Sequence, residues 1–408
     1  MRRGWREAQW IAEMPSPKRL RKLLPRLLAA ALLLCAGGAH AATLTLGLLV
    51  LADDERLARQ SVELAYLGHP GGPLQQAVEV ALKESRFELE AARLDVKIET
   101  VELRTPAEAR AAAQRLDKSG AVALLADLPA DSLLAAADAT QRLTVFNVGN
   151  AADALRQEQC RGNVLHTLPS ERMRSDALAQ YLVSQRWSRV LLLHGPRAED
   201  AQRLAAVQQS LKRFGLKTVD TRAFKLSADP RERQLANPLL LTARADYDVV
   251  WVIDSDGEFA RGLPYRIAQP RPVVGDAGLV ALAWAPHFER YGAPQLAHRF
   301  ERHAKRAMTA QDWAAWMATK AVLQALSPKP ATGAPRPAAW TAGDVSFDGF
   351  KGARTSFRAW DRQLRQTLLL SDGQGVIATA PVEGLLHPSN VLDTLGADAP
   401  EKLCKAAP

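Results

Sequence analysis

Motifs that commonly mark an enzyme are missing from this 408-residue sequence. It contains no Gly-x-Ser-x-Gly elbow, no Walker loop, no His-Glu-x-x-His helix and no Cys-x-x-Cys pair. These absences argue against the common hydrolases, nucleotide-dependent enzymes, zinc proteases and dithiol oxidoreductases. We therefore expect a binding protein that is not an enzyme and that uses no cofactor.

The sequence also lacks a pattern that would indicate a metal or phosphate site. His298 and His303 are five residues apart on one predicted helix, which places them on different faces. The loop at 68–72 (GHPGG) precedes a helix and could present amides to an anion, but no Lys-Ser/Thr pair follows it. We expect a plain loop there and no bound metal.

Long apolar runs are confined to the N-terminus. Basic residues between 18 and 26 precede the apolar run Leu27–Leu34, and the small-residue site Ala39-His40-Ala41 follows. This order is typical of a secretory signal, and the run is shorter than the roughly 20 residues that span a membrane. We expect residues 1–41 to be a signal peptide cleaved after Ala41, with the mature protein in the periplasm. A start at Met14 would leave a compact leader of 28 residues.

Only three cysteines are present, Cys35, Cys160 and Cys404. Cys35 could carry a lipid, but Leu34 occupies the position where a lipidation signal needs a small residue, so release from the membrane is the preferred alternative. Cys160 and Cys404 then face an oxidising compartment, where two thiols more often form a disulfide than a metal site. We predict a disulfide between them.

Most of the excess positive charge lies in residues 1–41, the predicted signal peptide. The full chain has a net charge of +9, of which residues 1–41 contribute +6, with eight Lys/Arg against two Asp/Glu. The mature chain is therefore only mildly basic, and we expect no nucleic-acid partner. We expect a monomer that reaches a membrane only through a partner protein.

From Ala42 onward, short β-branched or leucine-rich runs alternate with longer amphipathic stretches. This alternation is typical of parallel sheets covered by helices, and it occurs in two consecutive series. The sequence predicts an α/β fold with two doubly wound, parallel-sheet lobes joined by several chain crossings. We assign residues 42–163 and 284–360 to the first lobe and residues 164–283 and 361–408 to the second.

Three further segments refine the prediction. A helix is expected near 231–244, and the stretch 293–326 reads as helical without intervening strands. The tail at 346–380 contains Asp348-Gly349 and Asp372-Gly373 turn signals between apolar runs, which predicts hairpin-like strands.

Polar side chains at the predicted strand ends are the candidate ligand-binding residues, because ligands of doubly wound sheets bind beyond the carboxyl ends of the strands. Each of them could equally be a loop cap, and the two tryptophans that could form apolar walls could equally be core residues. The candidates are Asp53, Asp127, Asn147, Asn150, His194, Trp251, Asp254, Asp276 and Trp284.

The order of elements resembles the type I periplasmic binding proteins, the family of leucine/isoleucine/valine-binding proteins of ABC transporters. The stretch 164–182 (VLHTLPSERMRSDALAQYL) resembles that family's crossing into the second lobe, and 347–357 (FDGFKGARTSF) resembles its return turn and strand. The segments 356–370 (SFRAWDRQLRQTLLL) and 386–396 (LHPSNVLDTLG) are similar to a subfamily linked to PQQ-dependent alcohol dehydrogenase systems.

The resemblance does not extend to the family's amino-acid site. Amino-acid binders hold the ligand carboxylate with hydroxyls and amides of two first-lobe loops, whereas here those loops read 125–129 (LADLP) and 149–151 (GNA). The family's acidic position aligns with Ala277, beside Asp276. Asp127 would repel a carboxylate in that pocket by roughly one to several kcal/mol. We infer that α-amino acids are not the ligand.

The resemblance implies an exported solute-binding protein that closes on a small organic ligand and works with an ABC permease or a PQQ-dependent dehydrogenase. A sensory or accessory subunit of the dehydrogenase system, without a transport role, is the first alternative. A hydrolase that uses His194 and Asp254 is the second. A degenerate binding protein whose cleft is filled by its own side chains is the third.

Overall fold

A computed structural model describes residues 41–58, 71–327 and 334–405. The predicted signal peptide, Cys35 and most of the loop at 68–72 lie outside the described residues. No helix in the described ranges is long and apolar enough to cross a bilayer.

Fifteen strands are described. They are β1 (Ala42–Leu51), β2 (Leu94–Leu103), β3 (Ala123–Asp127), β4 (Val145–Asn147), β5 (Val164–His166), β6 (Arg189–His194), β7 (Lys217–Ala223), β8 (Val249–Ile253), β9 (Val273–Gly275), β10 (Val280–Leu282), β11 (Phe347–Asp348), β12 (Arg354–Phe357), β13 (Leu364–Arg365), β14 (Leu368–Ser371) and β15 (Val376–Ala380).

Helices lie between and after these strands. The α-helices of the described residues are α1 (Glu55–Ala58), α2 (Gln75–Glu84), α3 (Arg86–Ala92), α4 (Pro106–Lys118), α5 (Ala130–Asp138), α6 (Glu171–Ser184), α7 (Ala198–Arg213), α8 (Pro238–Thr242), α9 (Glu258–Gly262), α10 (Ala293–Ala304), α11 (Ala310–Leu326) and α12 (Ala338–Thr341). Short 3₁₀ helices cover Asp153–Arg156, Pro230–Ala236, Leu263–Tyr265, Val391–Thr394 and Ala399–Glu401.

Two parallel sheets organise the chain. The first has the strand order β2-β1-β3-β4-β5, and the second has the order β7-β6-β8-β9. The β1–β3, β3–β4 and β4–β5 pairs and all three pairs of the second sheet are parallel. The inner strands β3, β6 and β8 coincide with leucine- and valine-rich runs, because a strand buried on both faces needs a continuous apolar run. The predicted α/β class is confirmed.

Local capping explains where two of the helices begin. The Thr105 side chain accepts a hydrogen bond from the Glu108 amide at the start of α4, and Pro106 occupies the first helical position. The Ser170 side chain accepts in the same way from the Met173 amide at the start of α6. In both cases a hydroxyl residue stands directly before the first helical residue.

Each parallel sheet has its own apolar core. The core on one face of the first sheet includes Trp313 and Trp316 of α11, which are almost fully buried against Leu46 and Leu125 of the strands. In the second core, Leu182 of α6 packs with neighbouring apolar residues of β6, β8 and β14. Each fully buried leucine or phenylalanine stabilises the fold by roughly 1.5–3 kcal/mol, so each sheet is anchored to its own helices.

Three chain segments connect the two cores. One runs from Leu168 of the first core to Met173 of the second, and another runs from β10 to Trp284. A third runs from Leu364 of the first core to Leu368 of the second. Strand β5, at 164–166, pairs in the first sheet although the predicted boundary puts residue 164 in the second lobe. The exact lobe boundaries stay predictions.

A buried polar knot holds these three connections together. The Lys351 ammonium donates to the Ala283 carbonyl at 2.7 Å and to Gln366 Oε1 at 3.0 Å, and it lies 3.6 Å from the centroid of the Trp313 ring. The Gln366 amide donates in turn to the Thr167 carbonyl at 2.8 Å. One lysine and one glutamine therefore tie all three connections through hydrogen bonds. We call this group the hinge knot.

The predicted helix at 231–244 is wrong. A 3₁₀ helix over Pro230–Ala236 and the short helix α8 replace it. Pro238 cannot donate the backbone hydrogen bond that a continuing helix needs, and it disfavours helical geometry at Asn237 before it. Asn237 instead caps α8 by accepting from the Leu239 amide.

The C-terminal segments follow the predicted hairpins. Strands β11 and β12 pair antiparallel around the Asp348-Gly349 turn, and β14 and β15 pair antiparallel around Asp372-Gly373. The stretch 293–326 is helical, as predicted, but it breaks into α10 and α11. The break falls at Lys305, which has a left-handed backbone, and Thr309 caps the next helix together with Asp312.

The predicted disulfide between Cys160 and Cys404 is present. It attaches the C-terminal tail to the segment between β4 and β5. Nearby, Glu401 of the tail accepts hydrogen bonds of 2.7 and 2.9 Å from the Arg172 guanidinium at the start of α6. The tail is therefore held by one covalent bond and one bidentate ion pair.

We predict that replacing both cysteines with alanine lowers the free energy of unfolding by about 2–5 kcal/mol, because the bond closes a loop of 244 residues in the unfolded chain. Denaturant titration of the oxidised protein and the double variant measures the difference. Reductant should destabilise the wild type and leave the variant unchanged. Equal unfolding free energies for the two oxidised proteins would contradict the prediction.

A second prediction concerns His166 on β5. Burial lowers the pKa of His166 well below 6.5, and the charges of Arg156 and Arg362 lower it further. Below pH 6.5 the unfolded chain therefore binds a proton that the folded chain does not. We expect protonation of His166 in the unfolded chain to lower the free energy of unfolding by about 1.4 kcal/mol per pH unit as the pH falls from 6.5 toward 5.

Denaturant titrations at pH 7, 6 and 5 measure this slope. His166→Gln should flatten it over that range, because the titrating group is gone. His298→Gln, at an exposed position on α10, is the matched control and should keep the wild-type slope. If His166→Gln and the wild type share one slope, the histidine is not the group responsible.

Candidate ligand-binding cleft

A cavity of about 970 Å³ lies between the loops of the first sheet and the helices α6 and α7 beside the second. On the first-sheet side, the residues after β3 and β4 line it, together with the segment that follows. On the other side, it is lined by one end of α6 and one face of α7. The lining residues include Arg56, Asp127–Asp131, Gly149–Ala154, Gln157–Gln159, Glu171, Arg174, Glu199, Gln202, Arg203, Ala205, Ala206, Gln209 and Gln311.

Asp127 and Arg56 form the polar centre of the first wall. Asp127 ends β3 and is 7% exposed, and its Oδ2 accepts a 2.6 Å hydrogen bond from Arg56 Nη2. The same guanidinium group donates to both oxygens of Asp54. Burial raises the pKa of Asp127, while the positive charge of Arg56 opposes that rise. Two carboxylates therefore hold one arginine in a fixed position.

The neighbouring loop is shaped by Asn147 and Gly149. Buried Asn147 exchanges hydrogen bonds with the backbone of Asn150, at 2.7 and 2.9 Å, and its Nδ2 lies 3.0 Å from His166 Nδ1. A Cβ on Gly149 would lie 1.6 Å from Asp127 Oδ1, so only glycine lets the two loops approach so closely. Asn147 therefore fixes the conformation of the loop without lining the cavity itself, whereas Asn150 lines the cavity.

The second wall carries an ion-pair cluster. Glu171, the first residue of α6, accepts hydrogen bonds from Arg174 Nη1 at 3.0 Å and from Arg203 Nε at 3.4 Å. Arg203 Nη2 also donates to Asp276 Oδ1 at 2.5 Å. Burial alone would raise the pKa of Glu171, but the two guanidinium groups lower it below its ordinary value. The carboxylate is thus held in its ionised form.

A small pocket of about 20 Å³ adjoins the cleft and shares Glu171, Arg174 and Arg203 with it. Trp251 and Asp276 line this pocket. Of the nine candidate residues, the structure therefore brings Asp127 and Asn150 to the cleft, Trp251 and Asp276 to its side pocket, and Asn147 behind one loop.

The other four candidates lie elsewhere. Asp53 is exposed and pairs with Arg104, with 3.1 Å between Asp53 Oδ2 and Arg104 Nε. His194 Nδ1 contacts the Gly195 carbonyl at 3.0 Å, and buried Asp254 accepts from the Ala260 amide at 2.8 Å. Trp284 is buried in the first core. An exposed ion pair holds Asp53, local backbone contacts hold His194 and Asp254, and core packing holds Trp284, so none of them lines the cavity.

The sequence prediction missed Arg56, Glu171, Arg174 and Arg203. Arg56 follows a predicted strand end by only a few residues, so its position was a usable signal. The other three lie on helices, and their long side chains reach the cavity from positions that the strand-end rule does not consider. In the described part of the chain, no group of three potential metal ligands occurs.

Residues 75–263 match the model of a family described as Periplasmic binding protein. No protein in the curated set matches. Among solved structures, a periplasmic binding protein from Burkholderia mallei is 14% identical with a TM-score of 0.64, and the match covers 90% of this chain and 99% of that one.

Two ligand complexes are also similar. A solute-binding protein of an ABC transporter from Rhodopseudomonas palustris, in complex with 3,4-dihydroxybenzoic acid, is 15% identical with a TM-score of 0.60 and coverages of 80% and 92%. A branched-chain amino acid transporter substrate-binding protein from Streptococcus pneumoniae, in complex with isoleucine, is 14% identical with a TM-score of 0.61 and coverages of 83% and 99%. The chain has the two-lobed α/β fold of the periplasmic binding proteins.

Proposed function

We propose that the protein is a periplasmic solute-binding protein that holds a small organic ligand between its two halves and presents it to an ABC permease. The observation that carries this proposal is the cleft of about 970 Å³, which has fixed ionic groups on both walls. Its volume falls at the upper end of the range that is usual for small-molecule sites. Arg56 and Asp127 would contact the ligand from one side, and Arg174 and Arg203 from the other.

The connections between the halves support a mechanism of closure. A ligand that touches both walls binds the closed form better than the open form, and it therefore shifts the equilibrium toward closure. The hinge knot concentrates the bending at three adjacent segments, because its hydrogen bonds keep them side by side. A membrane partner would then recognise the closed form.

We also propose that this transport serves PQQ-dependent alcohol oxidation. The support is the likeness of the segments 356–370 and 386–396 to the subfamily linked to such systems. An accessory role at the dehydrogenase, without transport, is the alternative on the same grounds. Affinity purification of the protein from membranes of its own host separates them, because a permease supports transport and a dehydrogenase alone supports the accessory role.

The two other hypotheses fit the site less well. A hydrolase would need His194 and Asp254 at the cavity, but both are engaged in local backbone contacts and neither lines the cleft. A cleft filled by the protein's own side chains would leave no room for a ligand, whereas about 970 Å³ is open.

Filling the cleft should abolish ligand retention. Ala205 on α7 lines the cavity and is exposed to it, so Ala205→Trp places a large ring where the ligand would lie. We expect the small molecule that is retained through purification, measured by mass spectrometry after denaturation, to fall about tenfold or more. The variant should also fail to become more compact in small-angle X-ray scattering when wild-type eluate is added.

Ala201→Trp is the matched control. Ala201 lies on the same helix, is exposed and does not line the cavity. Its variant should retain the small molecule as the wild type does. Equal retention by Ala205→Trp and Ala201→Trp would show that this cleft is not the binding site.

A further inference from the structure

The cleft is rich in carboxamide side chains. Of the residues that line it, six are asparagine or glutamine, namely Asn150, Gln157, Gln159, Gln202, Gln209 and Gln311. Within the ranges that the structure describes, the five glutamines make no side-chain hydrogen bond to the protein. Each carboxamide is an uncharged group that both donates and accepts, so these side chains offer hydrogen bonds of both kinds without a charge.

The three arginines of the cleft have donors to spare. Arg56 uses Nε and Nη2, Arg174 uses Nε and Nη1, and Arg203 uses Nε and Nη2 in the hydrogen bonds of the described residues. Among the residues that the structure describes, the other terminal nitrogen of each guanidinium group has no hydrogen-bond partner, and none of the three is a buried atom without a partner. A ligand that displaces water here must supply oxygen acceptors on both walls, because an unpaired donor costs affinity.

Those acceptors cannot carry a negative charge. Every arginine of the cleft is already paired with at least one carboxylate, and Asp131, Glu158 and Glu199 add further acidic groups to the lining. A ligand carboxylate would lie between fixed negative charges on both walls. In a partly desolvated cleft such repulsion weakens binding by about a hundredfold.

A positive charge on the ligand fits no better. A cationic amine brings no oxygen acceptor for the spare guanidinium donors, so it would leave them unpaired. Asp127 Oδ1 receives no hydrogen bond from the described residues, because Arg56 donates to Oδ2 alone, so this oxygen still needs a donor. A hydroxyl group meets both demands at once, since it accepts from Arg56 and donates to Asp127.

No aromatic side chain lines the cleft among the described residues. The described part of the lining therefore offers no flat apolar wall on which an aromatic ring or the face of a sugar ring would stack. Its apolar lining comes from small groups such as Ala151 and Leu168.

From this arrangement of carboxamides, spare guanidinium donors and paired charges, we propose that the cleft binds an uncharged, acyclic polyol. The proposal rests on the solute-binding function and names its ligand class. Arg56 and Asp127 would bind neighbouring hydroxyl groups of the polyol, and Arg174 and Arg203 would donate to hydroxyl oxygens on the opposite wall.

Isothermal titration calorimetry of the exported protein, stripped of bound molecules by unfolding and refolding, tests the proposal. The probes are glycerol, erythritol, xylitol and mannitol as polyols, with succinate as an anion and putrescine as a cation. We expect at least one polyol to bind at least about a hundredfold more tightly than succinate or putrescine. If no polyol binds, the proposal is wrong.

Two variants assign the contacts. Asp127→Asn should weaken polyol binding about tenfold, as expected for one lost hydrogen bond to a charged group, and Arg174→Gln should do the same from the other wall. Arg104→Gln, in an exposed ion pair outside the cleft, is the matched control and should bind as the wild type does. Tighter binding of succinate to Asp127→Asn than of any polyol would identify an anion site and overturn the proposal.

The outcomes keep the two proposals apart. Binding of succinate or putrescine in place of a polyol overturns the ligand class and leaves the solute-binding function intact. Absence of binding by every probe, together with equal retention by Ala205→Trp and Ala201→Trp, overturns both.

Discussion

The arrangement of this molecule depends on the Lys351 ammonium, a buried charge placed where three chain segments meet. Burial lowers the pKa of Lys351 well below its ordinary value, so the ammonium needs the carbonyl of Ala283, the amide oxygen of Gln366 and the face of Trp313. A buried polar group that is fully hydrogen-bonded specifies one arrangement of its partners, because any other leaves donors unsatisfied. The three connections that the hinge knot joins also position both walls of the cleft, so the knot helps to fix the geometry of the cleft.

Much of the fold could be predicted from the sequence because its inner strands are buried on both faces. Continuous apolar runs mark β6 and β8 in the sequence, and a hydroxyl residue stands directly before α4 and α6. The helix predicted at 231–244 was wrong because the spacing of apolar residues does not show that Pro238 interrupts a helix. The break at Lys305 was missed as well, because a left-handed backbone at a lysine leaves no sequence signature.

The candidate site was predictable only in part. The rule that ligands bind at strand ends found Asp127 and Asn150, whose backbones lie at the cavity. It could not find Arg174 or Arg203, since long side chains reach the cavity from helices. Arg56 offsets part of the negative charge with which Asp127 would repel a carboxylate. Two acids still surround that single arginine, so the first wall keeps an excess of negative charge.

The disulfide between Cys160 and Cys404 adds a covalent link that, unlike the three connections, does not follow the path of the backbone. Its tail end is fastened to α6 through Arg172 and Glu401, so separation of the halves must extend the few residues between this ion pair and the sulfur atoms. In the closure proposed above, the link would limit how far the halves separate. Because disulfides form in oxidising compartments, a protein exported as proposed would acquire this limit on its motion only after it leaves the cytoplasm.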